Sequence, residues 1–134
     1  MSNLPTLIKE ADGFVSLQPA KSSNIEAAET QLSLKFASDY KEYLLVFGAA
    51  SFDGKELTGI CKSERLSVVS ATERARDFYP QFPPKTYVVE ELGFDHVLIT
   101  QDAGGRVYAY GPHDSGKQIA ASLQEYLFPK DSCK

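Results

Sequence analysis

Residues 25–60 read IEAAETQLSLKFASDYKEYLLVFGAASFDGKELTGI, and the most regular part of this stretch is residues 39–47. Four large apolar side chains recur there at the spacing of one helix face, namely Tyr40, Tyr43, Leu44 and Phe47. Ser38 is a suitable N-cap, and Gly48 follows where a left-handed residue commonly ends a helix. The pattern predicts a central helix whose aromatic face lies in the core.

The sequence on either side predicts two more helices and a hairpin. Apolar residues recur at helical spacing over residues 4–11 and again over residues 24–32. The segment 14–21 between them is interpreted as a loop. The Asp53-Gly54 pair is a strong signal for a tight hairpin immediately after the central helix.

After this hairpin the sequence predicts two short strands and then a helix. The strands are placed at residues 57–60 and 66–69. Ser70 and Glu73 have the spacing of a capping box, with Ser70 as the N-cap. The helix extends to about residue 79, with Phe78 on its inner face.

The C-terminal part of the chain is mainly β in this interpretation. Strands are predicted at residues 87–89, 96–100 and 107–110. In the last of them Val107 and Ala109 share one face, and Tyr108 and Tyr110 share the opposite face. A final helix is predicted over residues 118–128.

The element order and the composition together indicate one α+β domain that covers residues 1–134. Short hairpin links favour a mainly antiparallel sheet with helices packed on one face. The chain of 134 residues is 43% hydrophobic and 24% charged, which is the balance of a soluble globular protein.

Two features bear on location. No apolar run reaches the ~20 residues that span a bilayer. The first residues lack a basic segment followed by a long apolar one, so we expect no signal peptide and a cytoplasmic protein.

Cys61 and Cys133 are expected to be free thiols, with a disulfide between them as the alternative.

The net charge of −4 narrows the classes of partner. Phosphate binding needs concentrated Lys and Arg, so direct binding to nucleic acid is disfavoured. A mildly acidic surface suits a basic protein partner. The alternative is that the charge only maintains solubility.

Residues Gly111 to Lys117 match GxxxxGK, which is most of a phosphate-binding loop between a strand and a helix. Gln118 stands where the magnesium-binding Ser or Thr belongs, and too few residues follow for the remaining parallel strands. We interpret the segment as a polar surface loop, with nucleotide binding as a remote alternative.

The sequence gives little support for a metal site or for a catalytic nucleophile. His96 and His113 are the only histidines, and no Cys or His pair has a zinc-ligand spacing. Cys61 follows an apolar segment and is interpreted as a small core residue. No Ser lies in a Gly-x-Ser-x-Gly elbow. The sequence therefore predicts no catalytic set, no metal site and no cofactor.

The ordered motifs of the chain resemble the SUKH superfamily over about residues 25–128. The motifs are Ile25-Glu26-x-x-Glu29, Asp39-Tyr40-Lys41-Glu42-Tyr43-Leu44-Leu45, Leu57-x-Gly59-Ile60, Tyr87-Val88-Val89, Gly105-x-Val107-Tyr108-Ala109-Tyr110 and Ala121-Ser122-Leu123-Gln124-Glu125-Tyr126-Leu127. Two positions depart from the usual pattern. Phe36-Ala37 replaces Leu-Pro before the central helix, and Gly48-Ala49-Ala50 replaces Asn-Gly-Gly after it.

The resemblance implies an α+β fold without an active site. The superfamily includes fungal cell-wall-synthesis regulators and many bacterial immunity proteins. For a bacterial member it implies an immunity protein that binds a cognate polymorphic toxin, often a nuclease, and blocks it stoichiometrically. The alternative is a regulatory or scaffold interaction module.

The expected contact surface combines carboxylates in exposed turns with aromatic anchors. Carboxylates would steer a basic toxin domain towards the protein, and aromatic side chains would hold it. The candidates are Glu90, Glu91, Asp95, Asp102, Tyr108 and Tyr110. We expect a protein partner, no direct contact with nucleic acid or membrane, and a monomer or weak dimer.

Overall fold

The computed structural model describes residues 4–92, 97–112 and 114–129. In chain order the elements are α1 (Leu4–Glu10), β1 (Val15–Ser16), α2 (Ser22–Leu32), α3 (Ser38–Phe47), β2 (Ala50–Phe52), β3 (Lys55–Glu56), α4 (Val68–Phe78), β4 (Thr86–Glu91), β5 (Leu98–Asp102), β6 (Val107–Gly111), β7 (Asp114–Ala120) and α5 (Leu123–Leu127). Among these residues, no helix is both long enough and apolar enough to cross a bilayer.

The strands form two antiparallel sheets, in the orders β1-β2-β3 and β4-β5-β6-β7. Asp53 and Gly54 connect β2 to β3 with positive φ angles of 52° and 77°, so the predicted hairpin is confirmed. A bridge between Leu57 and Glu90 links the end of the first sheet to β4. The predicted α+β class with antiparallel sheets is confirmed.

α3 lies at the centre of the core, as its aromatic face predicts. Tyr40, Tyr43 and Leu44 are completely buried, and Phe47 is 2% exposed. The helix begins one residue earlier than predicted: Ala37, not Ser38, occupies the N-cap position, and it has no capping side chain.

Buried hydroxyl groups connect α3 to the edge of the second sheet. Tyr43 donates to the Thr58 carbonyl at 3.0 Å and accepts from the Ala50 amide at 2.8 Å. Thr58 Oγ1 donates to the Val88 carbonyl at 2.7 Å. Because that bond uses the Thr58 proton, Tyr40 is the donor in the 2.9 Å contact between the two hydroxyls.

The second sheet has a different neighbour on each face. Val89 faces the main core, which also contains side chains of α1, α2, α3 and α5. Val88 faces a smaller cluster with Ala71 and Ala75 of α4. α4 also covers the edge of β4, since Thr72 Oγ1 accepts a hydrogen bond from the Val88 amide at 3.0 Å.

The start of α4 differs from the prediction. Residues 66–69 are not a strand, because Ser67 caps the helix by accepting from the Ser70 amide at 3.2 Å. The N-cap thus lies three residues earlier than predicted, and Val68 is buried in the first turn. Residues 57–60 form only isolated bridges, and β1 lies inside the segment interpreted as a loop.

The predicted final helix over residues 118–128 is wrong in its first half. Residues up to Ala120 belong to β7, and only Leu123–Leu127 is helical, capped by Ser122. Ile119 has helical spacing to Leu123, but it lies on an edge strand and is 42% exposed. Periodicity alone does not distinguish these two cases.

The segment Gly111 to Lys117 is not a phosphate-binding loop. Gly111 pairs with Asp114 across the β6–β7 hairpin, and Gly116 and Lys117 are strand residues. A phosphate-binding loop needs a helix immediately after it, where backbone amides point at the anion. His113 lies outside the described residues, as do His96 and Cys133.

Candidate protein-interaction surface

A groove of about 550 Å³ opens beside the C-terminal half of α4. Its lining combines apolar and charged side chains, and we call it the α4 groove: Arg74, Ala75, Asp77, Phe78, Tyr79, Glu91 and Leu98. The helix supplies one wall, and the first two strands of the second sheet supply the other.

The floor of the α4 groove is aromatic and is fixed from below. Tyr79 packs edge-to-face on Tyr110, with ring centroids 5.0 Å apart, and Phe82 packs edge-to-face on the same ring at 5.3 Å. Phe78 contacts Tyr79 at 4.8 Å but remains 60% exposed. A large exposed aromatic ring on a rigid base is typical of contact anchors.

Charged side chains form the rim. Arg74 pairs with Glu91 at 3.2 Å and also donates to the backbone carbonyls of Glu64 and Arg65. These three contacts hold the guanidinium in one place. Asp77 is exposed on the rim and forms no ion pair with any residue in the described part of the chain.

Two of the predicted contact residues are buried, contrary to expectation. Glu90 belongs to β4 rather than to an exposed turn and is only 5% exposed. Tyr110 is 8% exposed, because Tyr79 and Phe82 cover its ring. Tyr110 therefore supports the groove from inside, and neither residue offers a free surface.

Asp102 and Tyr108 lie on the same sheet face as Tyr110 but at the opposite end of the strands. The Asp102 carboxylate accepts from the Gly104 and Arg106 amides and from the Tyr108 hydroxyl at 2.8 Å. The Arg106 side chain balances its charge at 3.1 Å. This carboxylate stabilises the β5–β6 turn, and the structure does not bring it to the α4 groove.

Glu91 is the predicted residue that the structure places in the α4 groove. It is exposed and carries the ion pair with Arg74. Asp95 lies outside the described residues. Sequence reasoning thus selected one residue of the groove, Glu91, and missed those on α4.

The missed residues, Arg74, Asp77 and Phe78, are all on α4. Sequence spacing placed Phe78 inward, but the buried stripe of the helix is Val68, Ala71, Thr72 and Ala75. At 100° per residue, Phe78 points about 70° away from the centre of that stripe. Thr72 belongs to that stripe because it accepts a hydrogen bond from the Val88 amide of β4, a contact that the sequence alone does not reveal.

Burial of Glu90 predicts a specific pH dependence. Burial raises the pKa of this carboxyl above its ordinary value of 4.5, and the Tyr126 hydroxyl at 2.6 Å only partly opposes the shift. Above pH 4.5 the native state therefore keeps a proton that the unfolded chain loses. The free energy of unfolding consequently falls as the pH rises towards the native pKa.

We expect Glu90→Gln to remove this fall, since the amide stays neutral and still accepts the Tyr126 bond. Urea unfolding at pH 4, 5, 6 and 7 measures the difference between the two proteins. The variant should gain relative stability with increasing pH. Parallel curves for the two proteins would contradict the assignment.

A second concavity, of about 620 Å³, lies where α3, α5 and the β5–β6 turn meet. The Asp39 carboxylate accepts from Gln101 Nε2 at 3.0 Å and from the Leu123 amide at 2.8 Å. Gln101 in turn accepts from the Tyr87 hydroxyl. These polar groups join four elements, α3, β4, β5 and α5, so the cluster is a structural junction. Among the described residues, no group of three or more His, Cys, Asp or Glu side chains is placed to hold a metal ion.

Comparison with known proteins supports the resemblance in the sequence. The family model SUKH_5, described as SMI1-KNR4 cell-wall, matches residues 1–129. The match covers the region of residues 25–128 from which the motifs were taken and extends to the first helix. No curated protein matches the chain.

Proposed function

This chain belongs to the SMI1-KNR4 cell-wall family of the SUKH superfamily, and on that premise we propose that it is a non-catalytic protein-binding domain. We propose further that its partner is a cognate bacterial toxin, which it neutralises by stoichiometric binding. The observation that carries the proposal is the α4 groove, where Phe78 is 60% exposed on a rigid aromatic base.

The strand edges support contact through side chains rather than through added strands. β1 has two residues, and β7 pairs with β6 through two register shifts, which twist an edge away from further pairing. The outer edge of β4 is used by Thr58 and Thr72. A partner is therefore expected to bind a surface such as the α4 groove.

The family description favours one alternative. A regulatory or scaffold module of the cell-wall type would bind several host proteins instead of one toxin. Affinity capture from the native cell separates the two functions, because a single toxic partner supports neutralisation and a set of host proteins supports the scaffold.

Neutralisation is tested with the toxin encoded by a neighbouring gene. Titration with the purified chain should abolish toxin activity at a molar ratio of one, and a loss that continues well beyond equimolar addition would contradict stoichiometric binding. If that toxin is neither bound nor inhibited, the proposed function is wrong for this chain.

The association rate carries an independent prediction. With a net charge of −4 and a basic partner, raising the salt from low to about 0.5 M should slow association by about tenfold, while dissociation changes less. Stopped-flow or surface-based kinetics measure both rates. An association rate that does not depend on salt would exclude steering by carboxylates.

A further inference from the structure

We propose that the α4 groove receives an apolar side chain of a basic protein partner and that an adjacent arginine of that partner pairs with Asp77 and stacks on Phe78. The inference rests on the proposed function, because it names the partner chemistry for the same surface. It follows from three features of the groove: its apolar seat, the position of Asp77 and the balance of charge along the rim.

The seat has room for an apolar side chain of a partner. Ala75, Phe78, Tyr79 and Leu98 supply its walls and floor, and the volume of about 550 Å³ exceeds that of any single side chain. The ring of Tyr79 is held by Tyr110 below it. Because this floor is already rigid, little conformational entropy is lost in ordering it when a partner binds.

Asp77 lies where the helix itself gains nothing from a negative charge. It is the penultimate residue of α4, and helix C-termini carry a partial negative charge that favours cations. No described residue compensates the carboxylate with an ion pair. Carboxylate and helix terminus therefore add to one negative potential beside Phe78, which attracts a cation from outside.

The remaining rim charges cancel. Arg74 and Glu91 are paired at 3.2 Å, so among the groove residues that the structure describes Asp77 is the charge without an ion pair. Arginine suits this position better than lysine, because a planar guanidinium can pair with a carboxylate through two bonds and stack on an aromatic ring. An acidic partner would meet repulsion from Asp77.

The probe is a library of random twelve-residue peptides displayed on phage and panned against the full chain. Enriched peptides should carry an arginine within a few positions of Leu, Phe or Met. Phe78→Ala should weaken their binding at least about 30-fold, as for a central anchor. Leu45→Ala, at a site 45% exposed on α3, is the matched control and should leave binding unchanged.

Substitutions of Asp77 distinguish direct contact with the partner from a purely structural role of this residue. Asp77→Asn should weaken the peptides about fivefold or more yet leave thermal stability equal or slightly higher, since it removes an unfavourable helix-end charge. Asp77→Arg should abolish binding of the arginine peptide. Binding should return with a peptide in which glutamate replaces that arginine.

The outcomes separate this inference from the proposed function. Enriched peptides without a basic residue, binding unaffected by Phe78→Ala, or no enrichment would each overturn it. Self-association of the chain that Phe78→Ala abolishes would also overturn it, because the occupant would then be a second copy. A toxin that is not neutralised removes the proposed function, whereas neutralisation that survives both groove substitutions removes only the groove as its contact.

Discussion

Gly48→Ala is expected to destabilise the protein by about 3–5 kcal/mol, a large part of the roughly 5–15 kcal/mol that stabilises an ordinary domain. Gly48 has φ 72° and ψ −56°, and the Ala49 amide bonds the Phe47 carbonyl across it at 2.7 Å. This is the rare γ-turn with positive φ. A Cβ on Gly48 would also lie 1.9 Å from the backbone oxygen of Gln18.

Neither the strain at the positive φ nor the clash with Gln18 can relax easily, because backbone atoms lie on both sides of Gly48. The Gly48 carbonyl accepts from the Ile60 amide at 2.9 Å, and a Cβ on Gly59 would lie 1.8 Å from that same carbonyl oxygen. Two segments therefore cross without room for a side chain. Urea unfolding followed by circular dichroism measures the loss of stability, since the chain has no Trp.

Gly13→Ala is the matched control. Gly13 has nearly the same φ, 71°, but nothing lies within 4 Å of the position of a Cβ. It should cost only the backbone strain of about 1–2 kcal/mol. Equal losses for the two variants would show that close approach at Gly48 is not what matters.

Thr58→Val is expected to cost about 2–4 kcal/mol although it changes the shape of the side chain very little. Thr58 is 2% exposed, and its hydroxyl donates to the Val88 carbonyl and accepts from the Tyr40 hydroxyl. Valine leaves both of those buried groups without a partner. Each unsatisfied group costs about 1–3 kcal/mol.

Thr58→Ser separates the hydroxyl from the methyl group. Serine keeps both hydrogen bonds and loses one methyl, so its cost should be near 1 kcal/mol. Denaturant unfolding of both variants provides the comparison. If serine is as damaging as valine, packing of the methyl is decisive and the hydrogen bonds are not.

Local sequence patterns correctly predicted the elements that do not depend on contacts with distant parts of the chain. The aromatic stripe Tyr40, Tyr43, Leu44 and Phe47 specified α3, and Asp53-Gly54 specified a hairpin, because such patterns need no distant partner. Alternation in β6 correctly placed Val107 opposite Tyr110. Each of these patterns is contained in one short continuous stretch of sequence.

Prediction failed where the deciding contact came from elsewhere in the chain. Ser67 rather than Ser70 caps α4, since the helix must bury Val68 and present Thr72 to β4. Residues 118–120 form a strand because β6 pairs with them. Local periodicity was compatible with either structure in both cases.

The candidate site shows the same division. Glu90 and Glu91 were both selected from the sequence because they are charged. Glu90, however, is buried beside Tyr126 and does not reach the surface. Nothing local distinguishes these two neighbours, because a bulge after Val88 and the packing of β4 decide their directions. Phe78 was wrongly assigned inward because its direction depends on how α4 packs against the sheet, which the sequence does not reveal.

The sequence by itself determined the α+β class, the central helix, the hairpin and the family, because these follow from the order and spacing of residues along the chain. Only the tertiary structure decided which aromatic rings and carboxylates reach the surface. Exposure depends on what packs above a side chain, as Tyr79 and Phe82 do above Tyr110, and that neighbour lies tens of residues away in sequence.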